Sequence, residues 1–322
     1  IKKTLINEGE GMDEEIHKLW WVFPGFKIEK MITGLDLPVN LAFVKEPTSK
    51  PEDVLLYVTE LYGNIKAITN DWKVHTYAEN LLNYEPNYEF PGTGESGLTG
   101  LCIEPESGDL FVSMIYEEDG EMKNQLLRTK SKDGLKMHSK ETIIKDIPSI
   151  KAAHQMQEIS IGFDGKLYVN VGDGMIKPEV AQDDDDLRGK ILRMNLDGSV
   201  PEDNPKKDSL IFAKGFRNPF GAIWRKSDES LYIADNGPAY DDRVARVQAG
   251  ENYGWPESMR TNSIFWHNLS QGITALDFMQ NEEFPYEFDD ELFVAFFGGS
   301  YQKGPGIKGK NIIKMKLNKD GT

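Results

Sequence analysis

A short strand motif recurs five times along this 322-residue chain and constrains its fold more than any other feature. In each copy, a turn rich in Gly, Asp or Glu leads into a strand of the form Leu-Tyr/Phe-Val/Ile. The leucines of successive copies are 54 to 64 residues apart, and the copies span 55–60, 108–114, 165–173, 229–237 and 290–299. Repeats of this length that carry several strands are typical of β-propeller blades. The sequence therefore predicts an all-β propeller whose sites lie in the loops around a central channel.

Each copy is flanked by further strand-like segments. One segment precedes it, and in the middle three copies a short turn joins the two, as in IGFDGKLYV at 161–169. Gly and Asp supply the turn conformations of such hairpins. A third segment with alternating polarity follows, and in several copies a fourth, as in VHTYAENL, ETIIKDI and SLIFAKG. The predicted unit is thus a blade of four antiparallel strands.

The charge of the chain limits its partners. The formal net charge is -16 and the pI is near 4.9, which argues against nucleic acid as a partner. Simple solubility explains an acidic surface, and cation binding is the alternative interpretation. The sequence contains no run of eighteen apolar residues, so no membrane-spanning helix is predicted.

A histidine and an aspartate flank the third predicted hairpin. His154 lies just before its first strand and Asp173 just after its second. A hairpin brings its two ends together, so the two side chains should be neighbours. A carboxylate that holds an imidazole fixes its tautomer and stabilises its protonated form, which makes a general base. The alternative is an ordinary loop histidine beside a turn aspartate.

Two further segments are predicted at the same end of the blades. Arg217, in GFRNP, precedes the first strand of the next blade, and its guanidinium suits carboxylate and carbonyl oxygens. The loop 235–242, with sequence DNGPAYDD, follows the repeated strand of that blade. Its carbonyls and carboxylates are hard oxygen ligands of the kind that Ca²⁺ prefers. The alternatives are an arginine that pairs with an acidic loop and an ordinary acidic turn.

Together these segments resemble a known family. In order, the chain contains GESGLTGLCIEP, HQ…IGFDGKLYVNVGD, GKILRMNLDGSVPEDNP, GFRNPFGAIW, DNGPAYDD and GENYGWP. This series resembles the soluble pyrroloquinoline quinone (PQQ)-dependent aldose sugar dehydrogenases, the glucose/sorbosone dehydrogenase family. The resemblance covers roughly residues 34–322. It implies oxidation of the C1 hydroxyl of an aldose to the lactone, with PQQ as hydride acceptor and Ca²⁺ polarising the quinone.

The resemblance also implies roles for single residues. His154 would be the general base, Asp173 would orient it, and Arg217 would act at the quinone oxygens. The implied cofactor contacts are Glu95, Gln155, Arg217, Asn218, Asn236 and Lys308. The implied calcium ligands are Gly237, Pro238 and Asp242.

The family fold is a six-bladed propeller, whereas the sequence contains five copies of the motif. We therefore expect six blade positions with the last blade incomplete, a propeller domain at 28–322 and an N-terminal extension at 1–27. The resemblance further implies an external electron acceptor and a location outside the cytoplasm, periplasmic or secreted. Two alternatives stay open: a non-catalytic propeller that binds a protein or a glycan, and a Ca²⁺-dependent hydrolase of the lactonase type.

Overall fold

The computed structural model describes residues 22, 24–86, 95–150, 153–280, 284–298 and 310–322. The chain divides into two compact units, Ile1–Asp36 and Leu37–Thr322. The described residues of the first unit form neither helix nor strand. The predicted boundary after residue 27 falls inside this unit and stays a prediction. No helix among the described residues has the length and apolar character that a membrane crossing requires.

The second unit contains five antiparallel sheets, each formed by consecutive strands. The first sheet is β1 Pro38–Phe43, β2 Val54–Glu60, β3 Asn64–Thr69 and β4 Val74–Ala78; the second is β5 Leu98–Ile103, β6 Leu110–Glu118, β7 Glu121–Ser131 and β8 Met137–Pro148. The third is β9 Met156–Ile161, β10 Leu167–Val171, β11 Lys190–Met194 and β12 Ile211–Lys214; the fourth is β13 Pro219–Arg225, β14 Ser230–Asp235, β15 Asp242–Val247 and β16 Ser263–His267. The fifth has three described strands, β17 Ile273–Phe278, β18 Leu292–Phe296 and β19 Asn311–Met315. Two short 3₁₀ helices span Pro178–Gln182 and Tyr286–Phe288.

The five copies of the sequence motif form the second strand of the five sheets, as predicted. The turn between β9 and β10 shows why the sequence folds this way. Gly165 has a φ of 70°, and its N–H donates to the carbonyl of Gly162 at 2.9 Å. Asp164 accepts the N–H of Lys166 at 3.1 Å. Glycine adopts positive φ without steric cost, and an aspartate side chain satisfies the backbone of its own turn.

The hydrophobic core lies between successive sheets. In β10, Leu167, Val169 and Val171 pack with Phe111 of the second sheet, whereas Tyr168 packs toward the fourth. Both faces of such a middle strand are therefore covered, which explains why the motif is apolar at consecutive positions. Burial of each large aliphatic side chain contributes roughly 1.5–3 kcal/mol, so contacts between neighbouring sheets supply most of the stability.

The first strands of the sheets contact one another in the order β1, β5, β9, β13, β17. This is the succession of blades in a propeller, and the chain is an all-β propeller with five blades in its described part. Four of these blades have the predicted four strands. A sixth blade position is not seen in the described residues, and it stays a prediction.

Leu167→Ala should lower the free energy of unfolding by about 2–5 kcal/mol, because it leaves a cavity between two blades. Leu269→Ala is the matched control, since Leu269 is exposed, and it should change stability by less than about 1 kcal/mol. Urea unfolding followed by tryptophan fluorescence measures both. Equal stability of the two variants would contradict the proposed core.

Candidate active site

His154 and Asp173 form a hydrogen-bonded pair at one end of the β9–β10 hairpin. The distance from His154 Nδ1 to Asp173 Oδ1 is 2.5 Å, and both side chains are buried. A carboxylate accepts hydrogen bonds, so Nδ1 carries the proton and donates it. This leaves the lone pair of Nε2 free to accept a proton, as a general base requires.

The backbone of His154 is held in an uncommon conformation. Its φ is 56°, in the left-handed region that costs free energy for a residue with a side chain. Glu95 accepts the N–H of His154 at 3.2 Å, and Gly174 donates to its carbonyl at 3.2 Å. A Cβ on Gly172 would lie 2.5 Å from that carbonyl oxygen, so only glycine allows the approach. These contacts fix the direction of the imidazole.

The Asp173 carboxylate accepts three hydrogen bonds. Burial alone would raise its pKa, but hydrogen bonds from His154, Met175 and Trp255, with the charge of His154, outweigh burial. The pKa of Asp173 therefore lies below its ordinary value, and the group is a carboxylate at neutral pH.

Arg217 and Asn218 lie against this pair. The carbonyl of Arg217 accepts the N–H of Asp173 at 2.8 Å. The Asn218 amide donates to Glu95 Oε2 at 3.0 Å, so Glu95 joins Asn218 to the backbone of His154. Asn218 Oδ1 is buried and has no hydrogen-bond partner among the described residues. An unpaired buried acceptor is costly, which makes this oxygen a candidate ligand contact.

A buried ion pair supports the Arg217 segment. Arg243 Nη2 contacts Asp235 Oδ2 at 2.7 Å, and both side chains are 0% exposed. Asp235 also accepts the N–H groups of Arg217 and Asn218, at 3.3 and 2.7 Å. Arg243 donates in addition to the carbonyls of Gly215, Tyr253 and Met259. These bonds satisfy the charges that burial would otherwise penalise.

The loop that follows β14 does not form a calcium site as it stands. The carbonyl of Gly237 accepts Arg217 Nη1 at 2.9 Å, so a cationic side chain already holds it. The Asp242 carboxylate accepts from Gly237 N, Ser270 Oγ and Gln271 N, at 2.6–3.0 Å. Pro238 is exposed. The described residues also contain no group of three or more His, Cys, Asp or Glu that could hold a metal. These residues do not fit the implied Ca²⁺ ion.

The side chains of two further predicted cofactor contacts, Gln155 and Asn236, already form hydrogen bonds within the protein. Gln155 is fully buried, and its amide bonds to Gly97, to Thr99 Oγ1 and to the carbonyl of Met156. The Asn236 amide donates to the carbonyls of two neighbouring segments. A ligand would have to replace one of these bonds to contact the Gln155 amide or the Nδ2 group of Asn236. Lys308 lies outside the described residues.

Trp255 belongs to the site, although the sequence patterns did not single it out. Its Nε1 donates to Asp173 Oδ2 at 2.8 Å, and the Arg217 guanidinium lies 5.5 Å from its ring centre. The signal in the sequence was the GENYGWP segment, which contributed only to the resemblance. The site therefore joins five groups: His154, Asp173, Arg217, Asn218 and Trp255.

A comparison with known families identifies the family of this chain. The Glucose / Sorbosone dehydrogenase family matches residues 35–295, most of the chain. The chain therefore belongs to the glucose/sorbosone dehydrogenase family, and the resemblance found in the sequence is confirmed.

Individual relatives extend this result. The chain is 24% identical to the Aldose sugar dehydrogenase YliI of Escherichia coli strain K12 over 94% of its own length and 83% of the relative's. It is 30% identical to Quinoprotein glucose dehydrogenase B of Acinetobacter calcoaceticus over 51% of its own length and 40% of the relative's. The solved PQQ-bound form of the aldose sugar dehydrogenase of Streptomyces coelicolor has a TM-score of 0.64 and 22% identity, covering 84% of this chain and 77% of that one. At that identity the likeness is one of fold.

Arg243→Met should lower the free energy of unfolding by about 3–5 kcal/mol, because it leaves the Asp235 carboxylate buried and unpaired. Arg246→Met is the matched control on the same strand. Arg246 is partly exposed and bonds Ser230, so its loss should cost about 1 kcal/mol or less. Chemical denaturation measures the free energy of unfolding of both variants. Similar decreases in the two variants would show that the buried pair stabilises the fold no more than the exposed contacts of Arg246 do.

Proposed function

We propose that this chain is a PQQ-dependent aldose dehydrogenase that oxidises the C1 hydroxyl of an aldose to the lactone. The observation that carries the proposal is the buried His154–Asp173 pair, with the free Nε2 lone pair of His154, beside the Arg217 guanidinium. Family membership supports a sugar dehydrogenase, and two of the compared proteins are named for a quinone cofactor.

The residues fit a quinone cofactor better than they fit a metal. Among the described residues, Asn218 Oδ1 lacks a partner, and the hydrogen bonds of the Arg217 guanidinium all come from Nη1. Its Nε and Nη2 donors suit carbonyl and carboxylate oxygens. Arg217 and Asn218 would therefore hold the cofactor, with Glu95 positioning Asn218. When bound, PQQ would supply the acceptor of the two electrons that leave the sugar.

In this proposal His154 accepts the proton of the C1 hydroxyl at Nε2. Asp173 holds Nδ1–H and stabilises the imidazolium that forms, and its low pKa keeps it charged as it does so. Arg217 places positive charge where an oxygen gains negative charge. Because the Gly237 carbonyl and the Asp242 carboxylate are already engaged, the proposal contains no step that uses Ca²⁺.

We also propose a sixth blade position beside the first blade. Val39, Leu41 and Phe43 of β1, and Leu37 directly before it, are 41–58% exposed. Neighbouring blades cover apolar side chains of this kind elsewhere in this protein. Among the described strands, the first strands of successive blades contact one another from β1 to β17, but β17 and β1 do not contact each other in this way. An external electron acceptor and a location outside the cytoplasm are part of the proposal and rest on the family resemblance.

His154→Ala should lower kcat by about 10²-fold or more, the usual contribution of a general base, while PQQ binding stays largely intact. The protein is titrated with PQQ, and absorbance is followed after aldoses are added. His138→Ala is the matched control, because His138 is exposed on β8, and it should retain full turnover. Near-normal turnover of His154→Ala would show that another group takes the proton.

The same assay separates the open alternatives. A non-catalytic propeller would oxidise no aldose at any PQQ concentration. A hydrolase of the lactonase type would open lactones without PQQ and would need a divalent cation.

A further inference from the structure

We propose that Trp255 is a positioning residue that acts on His154 through the second oxygen of the Asp173 carboxylate; the catalytic part of this inference rests on the proposed function. The two oxygens of Asp173 have different partners. Oδ1 accepts His154 Nδ1 at 2.5 Å and the N–H of Met175 at 2.8 Å, whereas Oδ2 accepts the indole Nε1 of Trp255 at 2.8 Å. The carboxylate is therefore held at both ends and cannot rotate away from the imidazole.

The indole also shares the negative charge of the carboxylate. Each N–H that donates to a carboxylate stabilises its charged form and reduces its pull on other protons. With the indole in place, Asp173 attracts the Nδ1 proton less strongly than a carboxylate with one free oxygen would. Trp255 thereby weakens the stabilisation that Asp173 gives to the imidazolium.

Trp255 is held rigidly by parts of the chain that are distant in sequence. The backbone N–H of Trp255 donates to the carbonyl of Gly215 at 3.1 Å, and the backbone carbonyl of Trp255 accepts Gln182 Nε2 at 2.5 Å. Gln182 also exchanges two amide hydrogen bonds with Asn252, at 2.7 and 3.1 Å. The indole is thus fixed before any ligand binds, which a positioning role requires.

The ring of Trp255 connects the base to the Arg217 guanidinium. The guanidinium carbon lies 5.5 Å from the ring centre, within the range of a cation–π contact. Trp255 therefore contacts both charged groups of the proposed mechanism, and a single side chain sets their relative placement.

Other charged groups also face the His154–Asp173 pair and must stay unchanged in a test. Glu95 accepts the His154 N–H, Arg217 lies against Asp173, and the charge of Arg188 acts on Asp173. Asp235 accepts the backbone N–H of Arg217. The substitution Trp255→Phe leaves all of these residues in place. It removes the indole N–H and retains an aromatic ring.

The first experiment needs neither cofactor nor substrate. The imidazole nitrogens of His154 are followed by NMR against pH in the wild-type protein and in Trp255→Phe, with His154→Ala to assign the signal. We expect the titration of His154 to move to higher pH by about 0.5–1 unit in Trp255→Phe. Trp224→Phe is the matched control, because its indole N–H donates to Ser160 outside the site, and it should leave the titration unchanged.

The inference is overturned if Trp255→Phe titrates like the wild type, or if Trp224→Phe shifts equally. If Trp255→Phe does not fold, benzothienylalanine at position 255 keeps the shape of the indole, lacks the N–H and gives the same comparison.

The second experiment measures kcat/KM against pH with PQQ and an aldose. We expect the acid limb of the profile to move to higher pH in Trp255→Phe, with recovery toward wild-type turnover on the plateau. A purely structural role would lower the plateau without moving the limb, and that result would overturn the inference. If neither the wild-type protein nor Trp255→Phe oxidises the sugar, the proposed function fails. The NMR titration still decides whether Trp255 acts on His154.

Discussion

The geometry of the site depends on the buried ion pair between Asp235 and Arg243. The pair joins the end of β14 to β15, and its remaining hydrogen bonds reach two loops. One loop carries Arg217 and Asn218, and the other carries Tyr253 and Trp255. Arg243 also lies 5.3 Å from the ring of Phe216, which stacks on Tyr253. A buried pair of this kind contributes more to a unique arrangement than to net stability, because desolvation offsets most of its attraction.

The part of the fold that the sequence predicted is the part that local interactions decide. Turns such as Asp164-Gly165 and the apolar residues of β10 are specified within about ten residues, so the hairpins and the repeated strand could be found without a structure. β16, the outer strand of the fourth blade, was not among the predicted fourth strands, and in the structure it pairs with β15. The number of blades depends on how the ring closes, which no local pattern determines.

The same distinction between local and long-range interactions explains which parts of the site could be predicted from the sequence. The pairing of His154 with Asp173 followed from the hairpin that lies between them. Trp255 is 82 residues from Asp173 in sequence, and only the folded arrangement of two blades brings its indole to the carboxylate. The calcium ligands were inferred from residue type and from the family resemblance. The structure shows that a carbonyl can be present at the implied position and still be engaged, since Arg217 donates to it.

The charges around His154 impose opposite requirements on the two halves of the proposed chemistry. Arg243 is neutralised by Asp235, Arg188 pairs with Asp186, and three donors satisfy Asp242. The remaining charges near the base are therefore Asp173, Glu95 and Arg217. An excess of negative charge stabilises the imidazolium that forms when His154 takes a proton.

The same excess of negative charge repels the carboxylates of PQQ. Arg217 is the one cation among these three groups, and burial lowers its pKa. Tight binding of an anionic cofactor therefore requires basic groups at some distance from the base. Under the proposed function, such a separation would let the protein hold the cofactor without weakening the field that the proton transfer needs.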